Sequence, residues 1–495
     1  MILFLISVTL LLSISQTLLY LWMAPADTVY PLVHNFVEDY YTYLDIMRQG
    51  FDGWWIVTSR MTPEVYPRMI VSVLLLFLGH AARFLHVSLP LVYTGARILG
   101  GGALMVLVYQ LIRRTFPQSF IKRIVAFCFV LFSTYVWGWG PNGPTVASLT
   151  HAWTELDPIF RWSFVPHHLW SKVFMVAAFL SLLSFRPTLL IIFTVLMGFT
   201  NPVVYVTFIP TLLLYTVLSL RGASFKATWQ SLIAIGVALL VTLYHRYLQT
   251  NIFPWTSYLV WEQTLRYKVN PFDYAFSLGP TLILFTLAIP AIWRLGRAGR
   301  LLIAWAASSW IMLYVAGPFL PVTPERYLGG YQFIPLAIGA AVWIFSLKGS
   351  HPLRLGCIVL LLGYFAIGLR ASFTEAAGYV VANRNNNQVY VPKELMAAFA
   401  YLSVNGNPED VVIAPYEIST MIPAFTGSRV VAGHAMFTKD IELKKALIND
   451  FFAGKNPVLP KNASWVLAPS SFVPPQNSPM TKKYSNGAYT IFEMQ

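Results

Sequence analysis

The chain has 495 residues, of which 57% are hydrophobic and only 11% charged, with a mean hydropathy of +0.60. A soluble domain carries roughly 25% charged residues, so this composition excludes an ordinary soluble domain and reads as a polytopic α-helical membrane protein. The net charge of +14 comes from Lys and Arg clustered between apolar runs, the distribution of orientation signals and not of a nucleic-acid surface.

The first apolar run, 3–23, ends in Ala24-Pro25-Ala26, the kind of small-residue site that follows a secretory signal. It lacks a basic leader and is too long for a signal core, so a retained span is expected. The next stretch holds Glu38, Asp39 and Asp45 in a chain with only 20 Asp and Glu. Carboxylates beside a bilayer are costly to desolvate and need a functional or structural reason. Phe36, Tyr40, Tyr43, Leu44, Met47 and Phe51 recur at helical spacing, which predicts an amphipathic helix over 36–51 lying along the membrane surface. Asn35 with Glu38 forms a capping-box pattern, which gives Glu38 a structural role. Asp39 has no such role and shares a face with Tyr43, one turn on; its bland alternative is attraction to the helix dipole, worth up to about 1 kcal/mol.

Segment 66–88 is apolar yet carries Arg68, His80, Arg83 and His86. If it crossed the bilayer, the basic loop at 113–123 and the later basic loops would face outward, so it is expected to be re-entrant or interfacial. Further apolar runs near 92–112, 121–138, 168–184, 187–200, 203–220, 229–248, 276–293, 301–319, 330–347 and 354–371 bring the expectation to about 11 spans of about 17–25 residues each. Arg113, Arg114, Lys122 and Arg123, then Arg186, Arg221 and Lys226, then Arg294, Arg297 and Arg300, then Lys348 and Arg354 are placed in the cytoplasm. The N-terminus joins them. Outside lie the first outer loop 24–91, the second outer loop 139–167, loops 249–275 and 318–329, and the C-terminal region.

In the second outer loop Asp157-Pro158 forms a turn signal with Arg161 nearby. Asp157 with His167 and His168 makes a poor zinc pattern, because adjacent histidines lack an i, i+4 partner. Further on, Glu325 and Arg326 stand at the outer mouth of a span; Arg326 either snorkels and pairs with Glu325 or grips a phosphate bidentately. Cys128 and Cys357 stand in separate apolar runs, which argues against a disulfide or thiolate metal site.

From about residue 373 charges, Asn, Pro and Gly return, and a small α/β extracytoplasmic domain is expected over 373–495, beside a transmembrane domain over 1–372. Helices are predicted at 393–403 and 439–454, the latter ended by Gly454, and strands at 410–414 and 463–468. Asn486-Gly487 signals a terminal hairpin.

Four features together resemble the GT-C superfamily of integral-membrane glycosyltransferases, which includes protein O-mannosyltransferases, aminoarabinose transferases and oligosaccharyltransferases. They are Asp39 with Tyr43 after the first span, the segment with Pro63 and Pro67, Asp157 in the second outer loop, and Arg326-Tyr327 before a late span. The match covers mainly 30–70 and 150–168, with a weaker part at 323–337. The stretch 423–434 is similar to that of bacterial membrane proteins of this type, and the absence of a WWDYG-like region argues against peptide N-glycosylation. The resemblance implies a GT-C-like fold in a bacterial plasma membrane and a polyprenyl-phosphate-linked sugar as donor. It implies Asp39 as catalytic base, Asp157 as an assisting or acceptor-positioning acid, and Arg326 as holder of the donor phosphate. Glu38, Tyr43, Arg161 and Tyr327 are placed with the substrate. The resemblance further implies a hexosyl- or pentosyltransferase; a glycan, lipid or protein acceptor stays open, as does a divalent cation shared by Asp39, Asp157 and the donor phosphate.

The residues fit such chemistry independently. Displacing a polyprenyl phosphate from an anomeric carbon needs a base for the incoming hydroxyl and a cation for the leaving phosphate. With no enzymic nucleophile required, inversion is expected. Trp54, Trp55, Trp153 and Trp162 are candidates to stack on sugars or to anchor at the interface. The rival class is a transporter or flippase of a lipid-linked saccharide, which calls for ionisable residues within spans and repeated halves; Arg97, Arg246 and Asn201-Pro202 are its only hints. A noncatalytic scaffold would not need acids in two outer loops.

Overall fold

The computed structural model describes residues 1–34, 36–141, 143–147, 149–150, 154–220, 225–347, 351–455, 459–474 and 479–495. The expected cap Asn35, the candidate stacker Trp153, and Arg221 and Lys348 of the basic loops lie outside the described residues.

Helices occupy the apolar runs. Among the described residues six are long and apolar enough to cross a membrane: Leu89–Thr115, Pro202–Ser219, Lys226–Asn251, Arg297–Phe319, Glu325–Ser346 and His351–Ala382. Two bent pairs raise the number to eight, Ile2–Ser13 with Ser15–Trp22 at 49° and Pro271–Leu278 with Pro280–Trp293 at 87°. The sharper bend falls at Gly279, whose φ of +70° suits a residue without a Cβ, and Pro280 then opens the next helix where its missing N–H goes unused. The other expected spans are short or polar-ended helices: Phe120–Phe132, Pro187–Thr200, and Pro166–Leu183 with His167, His168 and Lys172 near its start. By length and composition, six to eight of the about 11 expected spans are thus candidates for crossing among the described residues. The helix within 66–88, Val73–Leu85, has 13 residues; at 1.5 Å per residue it falls well short of the roughly 30 Å hydrocarbon core.

The chain forms two compact units. The first comprises Met1–Gln16, Ala96–Arg246 and Glu262–Tyr379, the second Thr17–Gly95, Tyr247–Trp261 and Val380–Gln495. Most of the segment expected as an outer domain thus belongs with residues 17–95, which contain the segment expected as the first outer loop. In the first unit, Pro280–Trp293 packs on Phe333–Ser346, Pro166–Leu183 on Pro187–Thr200, and Tyr205–Ser219 on Arg297–Ile311. Their shared core contains the fully buried Trp162, Trp305, Phe179, Phe208 and Ile338. The Trp305 indole N–H donates to the Gly330 carbonyl at 2.8 Å, satisfying the one polar atom of that ring.

The second unit is built on a five-stranded sheet in the order Arg429–Val430, Val411–Ile413, Ala463–Pro469, Tyr489–Met494, Met480–Ser485. The first three strands are parallel and the last three antiparallel, the Asn486-Gly487 turn closing the terminal hairpin. Helices Lys393–Asn405 and Ile441–Phe452 stand where the sequence predicts them. The edge strand Arg429–Val430 is covered by the first outer loop: the Val430 N–H donates to the Arg60 carbonyl and the Gly433 N–H to that of Met61, each at 3.0 Å. Arg429, itself buried, donates to the Ser59 and Glu64 carbonyls at 2.8 and 3.2 Å. An exposed strand edge invites wrong pairing, and this loop removes it.

The amphipathic helix expected at 36–51 is Val37–Phe51. It packs on Val73–Leu85 through two glycines, Gly50 facing the Leu76 carbonyl and Gly79 facing that of Met47. A Cβ at either position would lie 2.2 or 1.9 Å from the facing oxygen, so only glycines allow this approach.

Candidate active site

In the second unit, the first turn of Val37–Phe51 carries Glu38 and Asp39. Asp39 keeps 30% of its side chain exposed, and its Oδ1 accepts a hydrogen bond from His434 Nε2 at 2.9 Å. The backbone N–H of Met436 donates to His434 Nδ1 at 3.1 Å. Nδ1 is therefore the bare nitrogen, and Nε2 bears the hydrogen that points at the carboxylate. No described residue is hydrogen-bonded to Oδ2 of Asp39, which leaves one oxygen for an incoming group.

The helix N-cap position is Phe36, with no side-chain cap. Glu38 instead accepts a 3.4 Å hydrogen bond from the Tyr416 hydroxyl, so its partner lies in the C-terminal region. Tyr43, one turn after Asp39, stacks on Tyr93 with centroids 6.5 Å apart and 11° between planes. Asp45 is fully buried next to Gln49 and Arg60, whose Nη1 lies 3.8 Å from Oδ1; Arg60 also binds Asp52 at 3.0 Å, and Asp52 binds Arg48 at 3.0 Å. Burial lifts the Asp45 carboxyl to about 6, with Arg60 and Arg429 pulling the other way. Asp45 thus belongs to a structural ion network.

In the first unit, Asp157 is buried and its Oδ1 accepts the backbone N–H of Ile159 at 2.7 Å and of Phe160 at 3.1 Å, the turn that Asp-Pro favours. Burial raises its carboxyl above the ordinary range, with Ser372, the two N–H groups and Arg161 opposing. Arg161 donates to the carbonyls of Ser133 at 2.7 Å and Leu131 at 3.3 Å, and its guanidinium lies 3.8 Å from the Phe333 ring centroid. Burial draws that guanidinium down to about 9, with Asp157 opposing, so it stays cationic at neutral pH. These contacts make the pair a clamp on the segment that leads into Pro166–Leu183.

Arg326 turns its guanidinium to a carboxylate distant in sequence, while its charge also attracts the neighbouring Glu325 carboxylate. Its Nε donates to Glu262 Oε1 at 2.9 Å, while Glu262 Oε2 accepts the Thr323 N–H at 2.6 Å. Tyr327 is buried, and its hydroxyl has no hydrogen bond among the described residues. The late loop reaches the second outer loop through Tyr331, whose hydroxyl donates to the Arg161 carbonyl at 2.7 Å. Between them runs a narrow cleft lined by Ser133, Glu155, Arg161, Leu328, Tyr331 and Gln332. The structure therefore groups Glu38, Asp39 and Tyr43 in one unit, and Asp157, Arg161, Arg326 and Tyr327 in the other. Among the described residues no three His, Cys, Asp or Glu gather as a metal site. Of the aromatic candidates, Trp162 is buried in the core, whereas Trp54 and Trp55 are exposed, with Arg68 over Trp54 and His80 stacked on Trp55.

The aminoarabinose transferase ArnT from Cupriavidus metallidurans, solved bound to undecaprenyl phosphate, superposes on 99% of this chain and 97% of its own, with 11% identity and a TM-score of 0.50. The chain has a GT-C fold. That fold, expected from four short motifs, extends over nearly the whole chain. An oligosaccharyltransferase from Archaeoglobus fulgidus, in complex with zinc and sulfate, matches 92% of this chain and 68% of its own, with 12% identity and a TM-score of 0.49. The arabinofuranosyltransferase AftD from Mycobacteria matches 99% and 41%, with 13% identity and a TM-score of 0.49. No protein-family model matches the sequence, and no curated protein matches it.

Sequence reasoning missed two partners, His434 of Asp39 and Glu262 of Arg326. His434 stands 395 residues from Asp39, and its one local signal is the position at the end of the stretch 423–434.

Proposed function

We propose that the protein transfers a sugar from a polyprenyl-phosphate-linked donor to an acceptor hydroxyl at the outer face of the membrane. The observation that carries this reading is the Asp39 carboxylate, part-exposed at a helix start, with one oxygen held and the other open, in a chain of GT-C fold. Asp39 takes the proton of the acceptor hydroxyl as its oxygen attacks the anomeric carbon. The bond from that carbon to the phosphate oxygen breaks, its electron pair leaving with the phosphate, and polyprenyl phosphate departs with inversion at the sugar. Arg326, oriented by Glu262, neutralises the leaving phosphate. Tyr327, with its buried hydroxyl, and Tyr43 and Glu38 contact the substrate, and Asp157 with Arg161 holds the second outer loop in place.

The test is transfer of labelled sugar from a polyprenyl-phosphate donor by the purified protein in detergent. Asp39→Asn preserves size but cannot accept a proton, and lowers turnover by about 10²–10⁴-fold, while Glu38→Gln is mild because an amide oxygen still accepts the Tyr416 hydroxyl. Full activity in Asp39→Asn, or equal losses at both positions, refutes the assignment. A transporter of the lipid-linked saccharide would give no transfer at all.

A further inference from the structure

The C-terminal region supplies one side chain to the carboxylate proposed as the base, and the way it is held shows more than a packing contact. The His434 side chain is only 8% exposed. Its ring meets Phe437 edge-to-face at 5.4 Å, and its carbonyl accepts the Phe437 N–H at 2.9 Å and the Thr438 hydroxyl at 3.0 Å. The one hydrogen of the Thr438 hydroxyl is shared between that carbonyl and the nearer Met61 carbonyl at 2.6 Å, and its oxygen accepts the Gly433 N–H. The ring therefore has a fixed place, and the Met436 N–H on Nδ1 fixes its tautomer.

We infer that His434 is the positioning residue for Asp39, so that the C-terminal region is a working part of the reaction centre. This rests on Asp39 being the base. The Nε2–H bond occupies Oδ1 and sets the plane of the carboxylate, which directs Oδ2 to the acceptor hydroxyl. When Oδ2 takes the proton, Oδ1 becomes the carbonyl oxygen of a neutral acid and still accepts from Nε2. The bond therefore persists through the step and His434 neither gains nor loses a proton. Such preorganisation acts on turnover, because a carboxylate free to rotate must be reoriented in every transition state.

Two substitutions separate positioning from structural support. His434→Asn keeps an oxygen that can accept the Met436 N–H, as an N-cap residue does, but its side chain is too short to reach Asp39. His434→Gln places an amide N–H near the position of Nε2. Expected for Asn is a thermal midpoint near that of the parent protein, a kcat lowered about 10–100-fold in the labelled-sugar assay and an unchanged donor KM; Gln recovers most of the kcat. In an Asp39→Asn background His434→Asn then has no further effect on the residual rate. Parental kcat in His434→Asn, or a Gln variant as impaired as the Asn variant, overturns the inference. If Asp39→Asn is inactive while His434→Asn is fully active, the base stands and only the positioning role falls. If Asp39→Asn itself is active, the base assignment falls first.

Discussion

The glycine contact beneath the Asp39 helix gives the most direct quantitative test of the second unit. In Gly79→Ala the new Cβ would lie 1.9 Å from the Met47 carbonyl oxygen, about 1.5 Å short of the 3.4 Å at which ordinary contact begins. The obstacle is backbone in the middle of a helix, so the two helices must separate. Overpacking of a tight contact costs about 1–3 kcal/mol, and a backbone clash belongs at the upper end. Replacing glycine within a helix recovers about 1 kcal/mol of propensity, leaving a net loss of about 2 kcal/mol. For a unit of about 200 residues this lowers the thermal midpoint by roughly 4–8 °C, read by intrinsic fluorescence in a fixed detergent. Gly50→Ala meets the Leu76 carbonyl at 2.2 Å and behaves alike. The double variant loses little more than either single one, because one separation relieves both clashes. A Gly79→Ala protein as stable as its parent, or fully additive losses, would refute the close-contact reasoning.

Asp45 gives a pH test. Its folded value of about 6 lies above the unfolded value of about 3.9, so its contribution to stability is fully present below about pH 4 and is lost as pH rises through 6, by roughly 3 kcal/mol in all. Asp45→Asn lacks that loss, and its stability relative to the parent therefore rises between pH 4 and 7; a flat difference in thermal midpoints across that range contradicts the assignment. Arg326→Ala should weaken donor binding by about 10–100-fold, a charge-assisted bond being worth roughly 1.5–3 kcal/mol, and Glu262→Gln should cause a smaller loss by releasing the guanidinium. Binding of labelled polyprenyl phosphate reads both, and unchanged affinity in Arg326→Ala removes its phosphate role. A single cysteine placed at Arg113 should react with an impermeant reagent only from the cytoplasmic side, and reaction only from outside would reverse the proposed orientation.

Local order was legible where one period or one turn specifies it. The 3.6-residue spacing of Tyr40, Leu44, Met47 and Phe51 marked the Asp39 helix, and Asn486-Gly487 marked the terminal hairpin. Apolar runs marked helices; whether each crosses is not fixed by hydropathy, since a run such as Pro187–Thr200 is apolar but only 14 residues long. The site was half legible. Asp39 stood out as a carboxylate without a capping role, but its partner is 395 residues away, and spacing carries no information at that range. The sequence left Arg326 open between Glu325 and a phosphate, and its hydrogen bond to Glu262, 64 residues away, carries no signal in local spacing.

The cover that residues 60 and 61 lay over the strand Arg429–Val430 also sets the order in which the protein can be made. Met61 emerges from the ribosome 377 residues before Thr438, whose hydroxyl it accepts. At about 5–20 residues per second, that is a wait of roughly 20–75 s. During this time the loop, with the Arg60 side chain that ends up buried, has no sheet to join. A truncation before residue 429 would therefore do more than delete the end of the chain: it would leave the Asp39 segment without its final fold and open to proteases.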